Sequence, residues 1–435
     1  MSRATNRITR YHAIRGGLWG LGALALIGAI VAGCASQAAA MAEATSQATR
    51  AAGSPDDAAQ AAAAIDAFGF DFYKSDLTSG GNAVVSPTSI VLALSMAQAG
   101  ARGETAAQMD TVLHSVTGTG NGNGINSLDQ ALAGISGTFK DALGKDHEVT
   151  LRNANAPFAQ LGLQLQSPFL DTLASKYGAG LRLVDFQKDP AGACQLINGW
   201  VGDQTEGRIP KLIDSLDPLT RLVLVNAVYL KAPWQMPFDE TQTKTLPFTR
   251  SDGSQVSVPT MGLGLAEATY ASGSGWQAVE LPYAGGSLAM TIVVPDDLAA
   301  FEGGLDAARF AQITAALKAT DVILTLPRFK IETKSDIAFA LAAMGMSVAF
   351  DRNRADFSGI TTQVPLYISK VVHQASISVD ENGTEASAAT AVEIGAGAAP
   401  GQPVTLHVDR PFVFAVRDTR TGAILFLGRV VDPSA

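Results

Sequence analysis

The chain has 435 residues, 47% of them hydrophobic and 16% charged, with a formal net charge of −9. That balance specifies a globular protein with ample core, of a size that one large mixed sheet can hold. The first 33 residues carry four arginines and no acid, so the rest of the chain stands at −13, the total of −9 less those four charges, and an acidic body excludes nucleic acid as a partner.

In chain order, an arginine-bearing start (Arg3, Arg7, Arg10, Arg15) leads into the apolar run GGLWGLGALALIGAIVAG, which ends at Cys34. The run is short for a membrane span and closes in small residues, as an export signal does, so residues 1–33 are read as that signal. Residues 34–56 are rich in Ala, Ser, Gln and Thr and read as a flexible tether, with a single folded domain over 57–435. Ile65, Phe68 and Phe72 recur at helical spacing and predict an amphipathic first helix. Pro87, directly after Ser86, suits a second helix start with Ser86 as its cap. The glycine-rich TGTGNGNG of Thr117 to Gly124 lacks the spacing of a dinucleotide loop and reads as plain connection.

Helices are predicted over Leu163 to Tyr177 and Asp189 to Thr205, the second holding Cys194 as a small buried residue. With only Cys34 and Cys194 there is no disulfide framework. Arg221 to Leu230, RLVLVNAVYL, is apolar on both faces and predicts a central buried strand. Asn226 inside it must be hydrogen-bonded, because a buried amide without partners costs on the order of 1–3 kcal/mol. A β-rich region runs from Gln255 to Pro295, followed by two helices and the strand DVILTLPRFKIET. Val371 to Asp380 alternates, with Val371, His373, Ala375, Ile377 and Val379 on one face. After a turn at Asn382-Gly383 the alternation resumes in small residues: Thr384, Ala386 and Ala388 on one side, Glu385, Ser387 and Ala389 on the other. GAGAAPGQP then has to be an exposed loop. A hairpin with Thr421-Gly422 at its turn closes the chain.

No G-x-S-x-G elbow, H-E-x-x-H helix or S-D-N set occurs, and the five histidines lack ligand spacing, so neither an enzyme, a metal site nor any cofactor is expected.

Five stretches together resemble the serpins, a family of metastable serine-protease inhibitors. They are VVSPTSIVLALSMAQAGARGETAAQM, INGWVGDQTEGRIPKL, KAPWQMPF, KVVHQASISVDENGTEASAATAV from Lys370, and the closing VDRPFVFAVRDTRTGAILFLGRVVDP. The resemblance runs from about residue 57 to the C-terminus. It implies an α+β fold: a large central mixed sheet, two smaller sheets, eight to nine helices and an exposed reactive-centre loop at about 384–403. It further implies a shutter in which Asn226 meets His373, Ser86 and Ser89, and a breach at the top of the sheet with Trp234 and an Arg328–Glu381 pair. The hinge would be Glu381, Gly383, Thr384, Glu385, Ala386, Ser387, Ala388 and Ala389, small residues able to enter the sheet quickly.

On this resemblance the protein is a suicide-type inhibitor: a serine protease cuts the loop, and the cut loop inserts as a strand before the acyl-enzyme is released. Sixteen residues on from Glu381 the count gives a Gly397–Ala398 bond, whereas counting back from Pro411 gives Pro400. The window Gly395 to Gly401 holds only Gly, Ala and Pro, which suits elastase-like or subtilisin-like enzymes. Between Gly124 and Glu148 only Lys140 and Lys145 are basic, so no glycosaminoglycan partner is expected. Val31-Ala32-Gly33-Cys34 resembles a bacterial lipobox, which implies lipidation at Cys34 and a monomer at the cell surface or in the periplasm, held to the membrane by its lipid. The alternative is a non-inhibitory serpin acting as a surface binding module.

Overall fold

The structure, a computed structural model, describes residues 41–77, 80–115, 120–385 and 403–435. Cys34, Ala386 to Ala389 and the window Gly395 to Gly401 lie outside these residues. The folded unit starts at Met41 rather than at residue 57, which corrects the tether. β1 (Ala42–Ala44) pairs antiparallel with Leu181–Val184. Arg50 then donates to Asn126 (2.9 Å) and pairs with Asp129 (2.5 Å), Ser46 donates to Asp171, and Ser54 donates its N–H to Ser127. Three paired residues, Ala42, Glu43 and Ala44, carry no readable period, so composition alone speaks for a linker.

Ser54 caps α1 (Pro55–Phe72), which buries Ile65, Phe68 and Phe72 as their spacing requires. β2 (Ala83–Val85) leads into α2 (Pro87–Gln98), whose cap is Ser86: its hydroxyl accepts from the Ser89 N–H. After α3 (Gly103–Val112) comes α4 (Gly120–Ala133), so the second half of TGTGNGNG is helix, not connection. Glycine disfavours a helix by roughly 1 kcal/mol per residue. Packing prevails here: a Cβ at Gly124 would lie 3.1 Å from Ala61 Cβ and 3.2 Å from the Asp57 carbonyl, tighter than ordinary van der Waals contact, so glycine eases the approach of α4 to α1.

The chain continues through β3 (Gly137–Lys140), β4 (Asp146–Gln160), α5 (Ser167–Thr172), β5 (Leu181–Val184), α6 (Pro190–Gln204) and β6 (Leu222–Pro233). Cys194 is buried in α6. Next come β7 (Lys244–Thr249), β8 (Gln255–Gly273), β9 (Trp276–Pro282), β10 (Leu288–Pro295), α7 (Leu298–Gly303) and α8 (Ala307–Ala316). DVILTLPRFKIET is two strands, β11 (Lys318–Pro327) and β12 (Phe329–Asp336), and the chain changes sheets at Arg328. α9 (Ala338–Leu341), β13 (Lys370–Asp380), β14 (Gly383–Thr384), β15 (Val404–His407), β16 (Phe412–Asp418) and β17 (Ile424–Val430) complete the fold.

The central sheet has eight strands in the order β1-β5-β4-β6-β14-β13-β12, with β3 paired to β4. The region expected as two smaller sheets forms one hydrogen-bonded sheet of nine strands: a path of eight, β15-β11-β8-β9-β10-β16-β17-β2, with β7 added on β8. β6 sits mid-sheet between two cores. Val223, Val225 and Ala227 face Ile197 and Val201 of α6, while Leu224 and Leu230 belong to the large core shared with α2 and the second sheet. Burial on both faces is why this strand is apolar at almost every position.

Candidate functional site

The seam between β6 and β13 organises the site. Its lower part is closed strand to strand: β13 runs parallel to β6 from Lys370 opposite Val223 to Ala375 opposite Val228. Its upper part is held apart by β14, which pairs antiparallel with both neighbours, Thr384 lying between Ala232 and Val379.

The lower seam carries a polar cluster. The register sets His373 beside Asn226, and Nδ1–H of His373 donates to Asn226 Oδ1 across the seam. The Ser86 backbone N–H donates to His373 Nε2 (3.2 Å), which fixes the neutral tautomer with its proton on Nδ1. Complete burial of the ring pushes its pKa down to about 3. Asn226 Nδ2 donates to Ser89 Oγ (2.7 Å) and to Asn155 Oδ1 (2.8 Å), and Ser89 Oγ donates to the same Asn155 oxygen (2.8 Å). The expected four residues thus meet, with Ser86 acting through its backbone and as the α2 cap. Asn155, directly opposite Asn226 on β4, escaped sequence reasoning. Its one signal is a second amide, two residues past Asn153, between the alanines Ala154 and Ala156.

The upper seam is aromatic and anionic. Trp234 stacks on Tyr283 (4.5 Å between centroids, 9° between planes), and its Nε1–H donates to the Asp380 carbonyl (2.9 Å). Tyr283 is bonded through its hydroxyl to Thr384 Oγ1 (2.7 Å) in a site where Thr384 is fully buried. Glu381 is 3% exposed and takes Arg328 Nη2 at 2.7 Å, Arg328 Nε at 2.9 Å and the Thr243 hydroxyl on a single oxygen. Burial works to raise the Glu381 carboxyl, but the Arg328 and Thr243 hydrogen bonds win and hold it below the ordinary range. Arg328 in turn rises above its usual value, chiefly through its hydrogen bond to Glu381. Gly383 needs its missing side chain: φ is +145° and a Cβ would lie 2.3 Å from the Ala232 carbonyl oxygen. Tyr283 and Thr243 were not singled out from sequence, since they lie just after β9 and just before β7 and reach Thr384 and Glu381 only in three dimensions.

The family model described as serpin (serine protease inhibitor) matches residues 63–433. An uncharacterised serpin-like protein of Thermococcus kodakarensis is 39% identical over 375 residues, covering 85% of each chain. The leukocyte elastase inhibitor of Bos taurus is 37% identical over 366 residues, 81% of this chain and 93% of its own. Among solved structures, the thermophilic serpin tengpin in its native state aligns with a TM-score of 0.79 at 27% identity, over 90% of this chain and 99% of its own.

Proposed function

The chain belongs to the serpin family, whose members are in general protease inhibitors rather than enzymes, and we propose that this protein is a suicide-type inhibitor of serine proteases. The observation that carries the reading is β14: two loop residues already lie as a strand in the upper seam, hydrogen-bonded on both sides, with small residues following in the sequence.

In this mechanism a protease serine attacks a carbonyl between Gly395 and Gly401. The Oγ–C ester forms, the peptide C–N bond breaks, and the amine of the C-terminal piece takes the proton. The freed N-terminal piece extends β14 downward between β6 and β13. Each added residue gains a ladder on both sides, and the ester-linked protease travels with the strand's end. For the strand to pass, the Asn226–His373 bond across the lower seam has to open, so the polar cluster is a latch on the sheet and does no chemistry on substrate.

The absence of Arg, Lys and aromatics in the window supports an elastase-like or subtilisin-like target, with Gly397–Ala398 as the preferred bond. The relative whose name is leukocyte elastase inhibitor points the same way. The lipobox-like Val31 to Cys34 supports export and lipidation at Cys34, giving a monomer anchored at the cell surface or in the periplasm.

The test mixes the full-length chain with elastase, subtilisin and trypsin and runs boiled samples on a denaturing gel. A covalent protease–inhibitor band is expected with the first two, and the mass of the released C-terminal peptide fixes the cut bond. Cleavage by every protease with no such band overturns the inhibitor reading in favour of a binding module.

A further inference from the structure

β14 stops where the backbone turns. Glu385, the next residue, has φ of +48°, a left-handed conformation that is strained for a residue with a Cβ. Its N–H still donates to the Ser378 carbonyl (3.0 Å), so the ladder with β13 runs one residue past the strand before it breaks. Its side chain is 16% exposed. Oε2 is buried and receives no hydrogen bond among the described residues. The nearest cation is Arg208, whose Nη1 is 3.8 Å away. Burial raises the Glu385 carboxyl, opposed by the charges of Arg208 and of Lys330 on β12 and by a hydrogen bond from the Tyr229 hydroxyl.

Arg208 is placed from the other side of this contact. It follows α6 on a turn built from Glu206 (φ +53°) and Gly207 (φ +77°), and its guanidinium lies over the ring of Tyr229 on β6 at 5.5 Å. Glu206, the remaining acid beside it, is paired with Arg152 at 3.3 Å. A cation is therefore placed over the seam at the level where the inserted strand now ends, 3.8 Å from a carboxylate oxygen, Oε2, that has no hydrogen bond.

We propose that Arg208 is a positioning residue for strand insertion: it receives the Glu385 carboxylate as Glu385 passes from φ +48° to extended backbone, and thereby sets the register in which the following residues enter. This rests on the inhibitor reading above. Extension relieves the left-handed strain and, by alternation, keeps Glu385 on the face opposite Thr384. A slip of one residue would turn Glu385 toward the buried Thr384 site and away from Arg208, so the ion pair favours one register over its neighbours.

The test compares the full-length wild type with Arg208→Ala, Arg208→Lys and the charge swap Arg208→Glu/Glu385→Lys. After loop cleavage by subtilisin, the rate at which thermal stability rises reports insertion itself, and the moles of inhibitor consumed per protease trapped report its race with deacylation. Arg208→Ala is expected to slow insertion about tenfold and to raise consumption, with most of the rate recovered by lysine and by the swap. Wild-type insertion should slow in 1 M salt, and Arg208→Ala should not respond. Insertion of Arg208→Ala at the wild-type rate, or a lysine variant as slow as alanine, overturns the role of Arg208 alone. A wild type that gains no stability on cleavage overturns the inhibitor reading and this inference with it.

Discussion

The two halves of the β6–β13 seam are closed by opposite means. Below, the strands pair with each other and a buried cluster of amides, hydroxyls and one neutral imidazole ties them to α2 and β4. Above, the strands stand apart, and two residues of the loop fill the gap against Tyr283 and Trp234. The lower closure is complete without the loop, whereas the upper one is made of the loop. In the proposed mechanism the cut loop then lengthens an existing strand from the top without first creating a gap, with the polar cluster as the barrier further down.

The largest effect in breaking this contrast is expected from Thr384→Arg. A guanidinium cannot occupy a fully buried site bonded to Tyr283, so β14 should leave the seam, and the trapped fraction of protease should fall more than about tenfold on a denaturing gel while loop cleavage continues. Asn226→Ala attacks the other half. It removes the acceptor for His373 Nδ1–H and the donor shared by Ser89 and Asn155, at a cost of about 1–3 kcal/mol read as a lower Tm.

The same cluster gives a pH signature. The folded pKa of His373, about 3, lies below its unfolded 6.5, so the unfolded chain binds the extra proton between these values. The stability from this group is fully present above pH 6.5 and declines as pH falls, by about 2 kcal/mol at pH 5, and the decline should be absent in His373→Gln. Urea midpoints across pH 5 to 7.5 check the slope. Tyr283→Phe, which deletes one hydrogen bond at the top, is expected to cost about 1 kcal/mol and to raise hydrogen exchange at Thr384. Smallest is Arg328→Ala: the arginine is 45% exposed, so the loss is expected at or below about 1 kcal/mol, with Arg328→Lys recovering part of it.

Much of this contrast was legible in the chain. The period of two in Val371 to Asp380 survives folding because one face is wholly buried, and a lone amide in RLVLVNAVYL demanded partners that His373 and Ser89 supply. What escaped reading shares one cause. Asn155 in β4, Tyr283 just after β9 and Thr243 just before β7 are ordinary residues of their own segments and acquire a role only when remote segments meet. The helical Gly120 to Gly124 runs against its own propensity, with Gly124 in close approach to α1, and the three residues of β1 are too few to show a period. The break at Arg328 has a local mark that the reading as one strand passes over: the buried positions are Val322, Leu324 and Leu326 before it and Phe329 and Ile331 after it, so the phase of the alternation shifts by one where the chain changes sheets.

β1 has a mechanical corollary. It is the outermost strand on the β6 side of the seam, in line with β5 and β4. If that side shifts as one slab when a third strand is admitted, β1 has to be displaced along with it, dragging against the Arg50–Asp129 contact to α4. A pull applied at Met41 is then a force along the opening coordinate, and the work of admitting the strand depends on what holds the N-terminus.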